Sequence, residues 1–163
     1  GDAGRMEGNT LFFTERIKDL YKTSNGKYIA PQAIEMVMSG DQYIEQIAVI
    51  GDQRKFVSAL IVPAYALLEK YAEEKGLAVG SREELVRNKE ILRLIETHIE
   101  ENQKNLASYE KIKRFTLLSE PFTMGSELTD TLKLRRSVIL KKYADPIEKM
   151  YEEASNMWGS NPV

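Results

Sequence analysis

Two apolar runs separated by a short polar segment place the strongest constraint on how this chain can fold. IEQIAVIG occupies residues 44–51 and FVSALIV occupies residues 56–62, with the polar residues of GDQRK between them. Runs as apolar as these must be covered in the folded protein, and a short polar link returns the second run alongside the first. The sequence therefore predicts an antiparallel pair of strands covered by helices.

The chain before this pair predicts a small hairpin and a helix. TLFFT at 10–14 and LYKT at 20–23 are short β-type runs separated by the charged ERIKD segment. They predict a hairpin that ends at residues 24–26. Pro31 then begins a helix with one apolar face, and Gly40 is a stop signal at its end.

The chain after the pair predicts one more strand and several helices. KRFTLL at 113–118 predicts a third core strand. Helical patterns occur in four segments, namely 66–76, a stretch from about residue 88, 132–143 and 147–154. The last two are divided at Asp145-Pro146. This order indicates an α+β, two-layer domain, with a small hairpin followed by a short, mainly antiparallel sheet packed with helices.

Composition excludes several classes of protein. The 163 residues fit one ordinary domain, and 23 Lys and Arg against 25 Asp and Glu leave a net charge of -2, too small to attract nucleic acid or anionic lipid. With no cysteine and one histidine, we expect no disulfide, no thiol nucleophile and no metal site. No stretch approaches the roughly 18 apolar residues of a membrane span. The absence of cysteine suits a cytoplasmic location.

Three polar clusters and one histidine could carry chemistry, namely residues 16–19, 24–27, 127–136 and His98. Each also has an ordinary structural explanation. The first suits a solvated turn, Asn25-Gly26 suits a turn that needs positive φ, and the third suits the wet face of an amphipathic helix. His98 lies on the apolar side of its helix, where a hydrogen-bonded core histidine is typical. The sequence contains no Walker loop, GxGxxG turn, HExxH helix or GxSxG elbow.

The order of the clusters adds to what each shows alone. RIKDL at 16–20 and NGKYIAP at 25–31 follow one another as R-x-[DK]-D-[LI] and G-G-[KE]-N-[IV]-x-P do in adenylate-forming enzymes. Asn25 replaces the first glycine and Tyr28 replaces the Asn. Gly1-Asp2 is similar to the end of the T-G-D element of those enzymes. The chain thus resembles the superfamily of acyl-CoA synthetases, adenylation domains and firefly luciferase.

Two later motifs extend this resemblance. YEKIK at 109–113 resembles Y-[EK]-x-[IV]-K, and ELTDTLKLRR at 127–136 resembles E-L-T-P-T-x-K-[LV]-[RK]-R. Asp130 replaces the usual proline and leaves Lys133 in register. The TLK form is typical of long-chain enzymes, whereas shorter-chain enzymes have SGK. The chain therefore resembles the C-terminal domain of a long-chain fatty-acid–CoA ligase.

The resemblance implies a role for each motif. The implied site residues are Lys133 for catalysis, Asp2 and Arg16 for nucleotide binding, Lys18 and Asp19 for the hinge, and Asn25, Gly26 and Lys27 for the CoA channel. The implied reaction uses ATP and Mg²⁺ to form an acyl-AMP and then transfers the acyl group to CoA. ATP, Mg²⁺ and the fatty acid would bind mainly to a large N-terminal domain, so this chain alone is expected to be inactive.

The resemblance also implies a division of the chain. Residues 1–19 would hold the end of the ribose-binding segment, a hairpin and the hinge, residues 20–154 the mobile lid, and residues 155–163 a flexible tail. The N-terminal domain would precede them and be the main partner of the lid, with no nucleic acid among the partners. A peripheral membrane contact of the full-length enzyme stays open.

Two alternatives to this function stay open. The acid could be an aryl or medium-chain acid, or the enzyme could be a fatty-acyl-AMP ligase that loads a carrier protein, because the acyl pocket would lie outside this chain. A different class is an α+β module that binds RNA or lipid through the basic stretch 133–142. The acidic balance and the absence of an RNP-like aromatic pattern argue against that class.

Overall fold

A computed structural model describes the backbone of residues 20–160 and the side chains of residues 20–152. The elements are β1 (Tyr21–Lys22), β2 (Tyr28–Ile29), α1 (Pro31–Ser39), β3 (Ile44–Ile50), β4 (Val57–Pro63), α2 (Tyr65–Glu74), α3 (Arg82–Arg87), α4 (Lys89–Asn102), a 3₁₀ turn (Ser108–Glu110), β5 (Ile112–Leu117), α5 (Arg136–Lys142) and α6 (Ala144–Ser160).

A three-stranded sheet in the order β3-β4-β5 forms the centre of the fold. β3 and β4 are antiparallel neighbours, as the two apolar runs predict. Every residue of β4 is buried, which means that both faces of the central strand are covered. Helix α1 packs on β3, and helix α6 packs on β5. The predicted α+β class is confirmed.

The third strand lies parallel to β4. Residues 64–111 form the crossover between them, and its three helices give the chain enough length to return to the same end of the sheet. The pairing β3-β4 is antiparallel as predicted, and β1 and β2 are also antiparallel neighbours. The central sheet is nevertheless mixed, because the long crossover lets β5 enter in the direction of β4.

Side-chain caps begin the helices of the crossover. The Ser81 hydroxyl accepts a hydrogen bond from the Glu84 N–H at 3.2 Å, at the start of α3. The Asn88 Oδ1 atom accepts the Glu90 N–H at 2.9 Å, at the start of α4. The apolar stripe of α4 is buried as its spacing predicts, with Ile91, Ile95 and Ile99 in the core.

The structure describes a small hairpin that the sequence pattern does not predict. The structure pairs Tyr21 with Ile29 and Lys22 with Tyr28, whereas the sequence pattern places 20–23 opposite 10–14. The segment 10–14 lies outside the described residues. Gly51 lets the hairpin approach β3, because a Cβ atom there would come within 3.0 Å of the Ile29 side chain.

The C-terminal helices begin and break at other residues than predicted. Helix α5 begins at Arg136 instead of 132, and α6 begins at Ala144, so the break falls at Tyr143. Pro146 lies in the first turn of α6, where the missing N–H of a proline is tolerated. The backbone of residues 155–160 continues α6.

Candidate functional site

Lys133 lies on a loop between β5 and α5 that folds back on itself. Within the loop, Leu128 forms an antiparallel bridge with Leu134. The Arg135 N–H donates to the Glu127 carbonyl oxygen at 2.7 Å, which closes the base of the loop. The predicted helix from 132 is therefore wrong over 132–135, because these backbone groups bond across the loop instead of along a helix.

The main chain of Lys133 is held by Thr129 on both sides. The Lys133 N–H donates to the Thr129 Oγ1 atom at 3.0 Å, and the Thr129 N–H donates to the Lys133 carbonyl oxygen at 2.8 Å. Leu132 has φ +64°, a left-handed conformation that leucine rarely adopts. The Lys133 side chain is exposed, and within residues 20–152 no acidic side chain pairs with it.

A buried carboxylate anchors the loop to the core. Glu127 is fully buried and accepts hydrogen bonds from the Thr123 N–H at 3.0 Å, the Tyr143 hydroxyl at 3.2 Å and the Lys142 ammonium. Burial raises the pKa of Glu127, but the bonds from Lys142 and Thr123 outweigh that effect and lower the pKa to about 2. The group is therefore a carboxylate at neutral pH, and it fixes the loop from inside the domain.

An ion pair ties the end of the same loop to helix α1, and a hydrogen bond ties it to the hairpin. Both Arg136 nitrogens donate to the Glu35 carboxylate, each at 2.8 Å, in a bidentate arrangement. The Arg136 guanidinium also donates to the Tyr21 hydroxyl at 3.4 Å, and Glu35 accepts the Val49 N–H at 2.8 Å. The sequence pattern predicts Arg136 on a wet helix face, but its side chain is only 25% exposed. Arg136 thus connects the loop that bears Lys133 to helix α1 through Glu35 and to strand β1 through Tyr21.

The turn of the hairpin carries the residues predicted for the CoA channel. Thr23 holds it together, since the Thr23 N–H donates to the Lys27 carbonyl oxygen at 2.8 Å and its hydroxyl donates to the Asn25 Oδ1 atom at 2.6 Å. Gly26 has φ +86°, and a Cβ atom there would meet nothing within 4 Å. Glycine is therefore needed for its backbone conformation. The Lys27 ammonium lies over the Tyr109 ring, 5.5 Å from its centroid.

An open cleft of about 250 Å³ lies between the hairpin and helices α5 and α6. Arg54 and Arg136 line it, but both are paired, Arg54 with Glu148 and Arg136 with Glu35. These two cations are therefore already neutralised by protein carboxylates. The cleft offers a weaker anion site than the exposed Lys133.

Sequence comparison decides which family this loop and hairpin belong to. Residues 18–155 match the family described as AMP-binding enzyme C-terminal domain. The chain belongs to this family. The match includes the loop of Lys133, the ion pair of Arg136 and the hairpin turn.

Relatives of this AMP-binding enzyme C-terminal domain include several fatty-acid ligases. Long-chain-fatty-acid–CoA ligase 5 of Mus musculus is 34% identical over 157 residues, which are 93% of this chain and 23% of the relative. Long-chain-fatty-acid–CoA ligase FadD15 of Mycobacterium tuberculosis is 30% identical over 156 residues, 94% of this chain and 26% of the relative. This chain thus spans about a quarter of the length of these curated relatives.

A solved structure supports the fold of the family. The adenylation domain of the carboxylate reductase from Mycobacterium chelonae matches with a TM-score of 0.67 and 28% identity. The match covers 84% of this chain and 20% of that chain. Its agreement with the α+β fold described above extends the family assignment from sequence to structure.

The structure describes some of the predicted site residues of this AMP-binding enzyme C-terminal domain. Lys133 and the Asn25-Gly26-Lys27 turn are described, and no hydrogen bond joins the one to the other in residues 20–152. Asp2, Arg16, Lys18 and Asp19 lie outside the described residues.

Sequence reasoning missed the residues that support Lys133 within this family's loop. Thr129 and Glu127 belong to the motif at 127–136, but the sequence assigns neither residue a role. A threonine or glutamate on a polar stretch carries no local signal of burial, so no pattern could have marked them. His98 is hydrogen-bonded as predicted, since its Nδ1 atom lies 2.8 Å from the Asp41 Oδ2 atom, but its side chain is 29% exposed and lies at the edge of the core. Burial raises the pKa of Asp41, but bonds from Asn102, the Tyr43 N–H and His98 bring it below its ordinary value.

The described part of this domain holds neither a metal cluster nor a membrane span. Over residues 20–152, no group of three or more acidic or histidine side chains is arranged to hold a metal ion. The described helices include none with the length and apolar character needed to cross a bilayer.

Proposed function

We propose that this chain is the C-terminal lid domain of a long-chain fatty-acid–CoA ligase. The complete enzyme would use ATP to convert a fatty acid to an acyl-AMP and then transfer the acyl group to CoA. The similarity to long-chain-fatty-acid–CoA ligases over 93% of the chain supports this substrate class, as does the TLK form of the loop.

The observation that carries this proposal is the presentation of Lys133. Its ammonium is exposed and lacks an acidic partner in residues 20–152, although its main chain is bonded on both sides. A surface lysine kept for solubility needs no such support. A lysine whose main chain is held in place and whose ammonium is unpaired suits a group that enters another domain and meets negative charge there.

In the first half-reaction, Lys133 would act electrostatically. The fatty-acid carboxylate attacks the α-phosphate of ATP, and negative charge shifts from the carboxylate to the phosphate and the departing pyrophosphate. The Lys133 ammonium would contact the carboxylate and the α-phosphate during that shift. A preorganised cation favours the transition state because it needs no reorganisation when the charge moves.

In the second half-reaction, the lid would rotate about Lys18 and Asp19 and bring the hairpin turn to the cleft. A few backbone dihedrals at a hinge can absorb a large rotation. Asn25, Gly26 and Lys27 would then line the path of the CoA thiol. The turn is suited to this because bonds from Thr23 hold its shape, and Lys27 is placed over Tyr109.

The nucleotide would be held from both sides of the hinge. Asp2 can accept hydrogen bonds from both ribose hydroxyls, and Arg16 would add a ribose or phosphate contact. ATP with its Mg²⁺ and the fatty acid would bind mainly to a large N-terminal domain, the main partner of this lid. We place the enzyme in the cytoplasm, in keeping with the absence of cysteine.

A second candidate is an adenylating enzyme with another acid or with a carrier protein as acceptor. The likeness to the adenylation domain of a carboxylate reductase, at 28% identity, favours this candidate. Both candidates share the adenylation step and the role of Lys133. They differ in the acid and in what accepts the acyl group.

One experiment separates the candidates. The full-length enzyme that carries this domain is incubated with ATP and a panel of long-chain, medium-chain and aryl acids, with CoA or a carrier protein as acceptor. The long-chain proposal expects long-chain acyl-CoA to form fastest. Faster turnover of an aryl or medium-chain acid, or transfer to the carrier protein alone, would favour the second candidate.

We expect the 163-residue chain alone to be inactive in ATP–pyrophosphate exchange, because the ATP and acid sites would lie in another domain. Exchange is measured with labelled pyrophosphate at several fatty-acid concentrations, and the full-length enzyme is the positive control. Exchange above background from the purified chain would contradict the lid assignment.

We also expect Lys18→Pro in the full-length enzyme to impair thiolation more than adenylation. Proline fixes φ at about -65° and would restrict the pivot after the first half-reaction. Pyrophosphate exchange reports adenylation, and the conversion of synthetic acyl-AMP to acyl-CoA reports thiolation. Lys22→Ala, on strand β1, is the control, and an unchanged ratio of the two rates in Lys18→Pro would reject the pivot.

A further inference from the structure

Thr129 makes more bonds to the segment that ends at Lys133 than a loop residue needs. Its N–H donates to the Lys133 carbonyl oxygen at 2.8 Å, and its Oγ1 atom accepts the Lys133 N–H at 3.0 Å. Its carbonyl oxygen accepts the Leu132 N–H at 2.9 Å. Every polar group of Thr129 thus bonds to Leu132 or Lys133, and its hydroxyl also contacts the Thr131 hydroxyl at 3.1 Å.

We propose that Thr129 is a positioning residue that sets the direction of the Lys133 side chain during adenylation. This role rests on the proposed function, because it matters only if Lys133 acts on the substrate. The hydroxyl is the specific part, since the other two bonds come from the main chain and any residue could form them.

The two hydrogen bonds between Thr129 and Lys133 form a clamp, the Thr129 clamp. It is needed because of the backbone conformation of Leu132, the residue before Lys133. Leu132 has φ +64°, although an L-amino acid with a bulky side chain disfavours that region. The side chain of Leu132 is 66% exposed, so packing does not hold it there. The bonds from Thr129 on both sides of the peptide keep the conformation, and that conformation decides where the next side chain points.

The loop is also held at Glu127, two residues before Thr129. Glu127 is fully buried, and its carbonyl oxygen accepts the Arg135 N–H at 2.7 Å. The segment that bears Thr129 and the segment that bears Lys133 are therefore joined at their bases as well as at the clamp. These bonds hold the main chain of Lys133, whereas its side chain is exposed.

Loss of the hydroxyl should therefore misplace Lys133 without removing it. A misplacement of about 1 Å in a catalytic group costs on the order of 100-fold in rate. We expect Thr129→Val to lower the adenylation rate by about 10- to 100-fold, less than removal of Lys133 itself. Thiolation of preformed acyl-AMP should change by less than about 3-fold, because Lys133 would be outside the cleft in that step.

The test compares four variants of the full-length enzyme in both half-reactions: Thr129→Val, Thr129→Ser, Thr131→Val and Lys133→Ala. Serine restores the hydroxyl and should rescue adenylation. Thr131→Val makes the same change two residues away, at an exposed hydroxyl that contacts the Thr129 Oγ1 atom and not Lys133, and should keep most of the rate. Hydrogen exchange of the Lys133 amide in the 163-residue chain reports the clamp without any activity, and it should accelerate in Thr129→Val.

The outcomes separate this role from the proposed function. If Lys133→Ala slows adenylation while Thr129→Val does not, the positioning role is wrong and the proposed function stands. If Lys133→Ala leaves adenylation unchanged, both are wrong. Equal loss of both half-reactions in Thr129→Val, or no rescue by serine, would show a merely structural residue and overturn the proposal.

Discussion

Replacement of Lys133 by alanine is expected to lower the rate of acyl-AMP formation by about 100- to 1,000-fold in the full-length enzyme. Removal of one preorganised donor from a site of developing negative charge has this size of effect. The loop around Lys133 is bonded through backbone groups and through Thr129 and Glu127, so the alanine variant should keep its fold. Adenylation is measured by pyrophosphate exchange, and thiolation by the conversion of synthetic acyl-AMP to acyl-CoA.

The thiolation rate of the same variant is the internal control, because Lys133 would be outside the cleft in that step. Lys141→Ala is a matched control, since it removes an exposed lysine from the last turn of α5. It should leave both rates near those of the unmodified enzyme. An equal loss of both half-reactions in Lys133→Ala would contradict the assignment of Lys133 to adenylation.

Replacement of Glu127 by glutamine is expected to destabilise the domain by about 3 kcal/mol at neutral pH. Folding lowers the pKa of Glu127 from its ordinary value of 4.5 to about 2, and a difference of one pH unit between the folded and unfolded pKa corresponds to about 1.4 kcal/mol. Glutamine has one acceptor oxygen in place of two and no charge for the Lys142 ammonium. Urea unfolding of the 163-residue chain at about pH 7 measures the difference in the free energy of unfolding.

The difference in the free energy of unfolding between the unmodified chain and Glu127→Gln should depend on pH. Because the pKa of Glu127 is lower in the folded chain, its contribution is complete above about pH 4.5 and is lost as the pH falls toward about 2. The glutamine variant should therefore approach the unmodified chain in stability over this range. Glu101→Gln, at an exposed pair with Lys104, is the control and should change stability little. A difference that stays constant between about pH 7 and about pH 3 would contradict the linkage.

The local elements of the fold could be predicted because their signals lie within a few residues. The apolar runs of β3 and β4, the apolar stripe of α4 and the proline at the start of α1 are such signals. Hydrophobic periodicity and cap residues act over one or two turns, so the elements they indicate can be predicted without knowledge of the rest of the chain.

The errors lie where distant groups compete with local preference. Residues 132–135 have a helical composition, but Arg135 bonds to Glu127 and Leu132 adopts a left-handed conformation. Burial of Glu127 and pairing of Arg136 with Glu35 join residues far apart in sequence, and no periodicity encodes such contacts.

The sequence by itself determined the α+β class, the central antiparallel pair and the register of Lys133 within its motif. These depend on the spacing of apolar residues and on the order of a few motif letters. Packing of distant segments added the parallel β5 and the buried Glu127, and the left-handed turn of the loop at Leu132 added the Thr129 clamp. The physical reason is that the role of a polar side chain depends on the partners that the fold brings to it. An apolar stripe, in contrast, must be buried whatever its partners are, so its spacing alone predicts it.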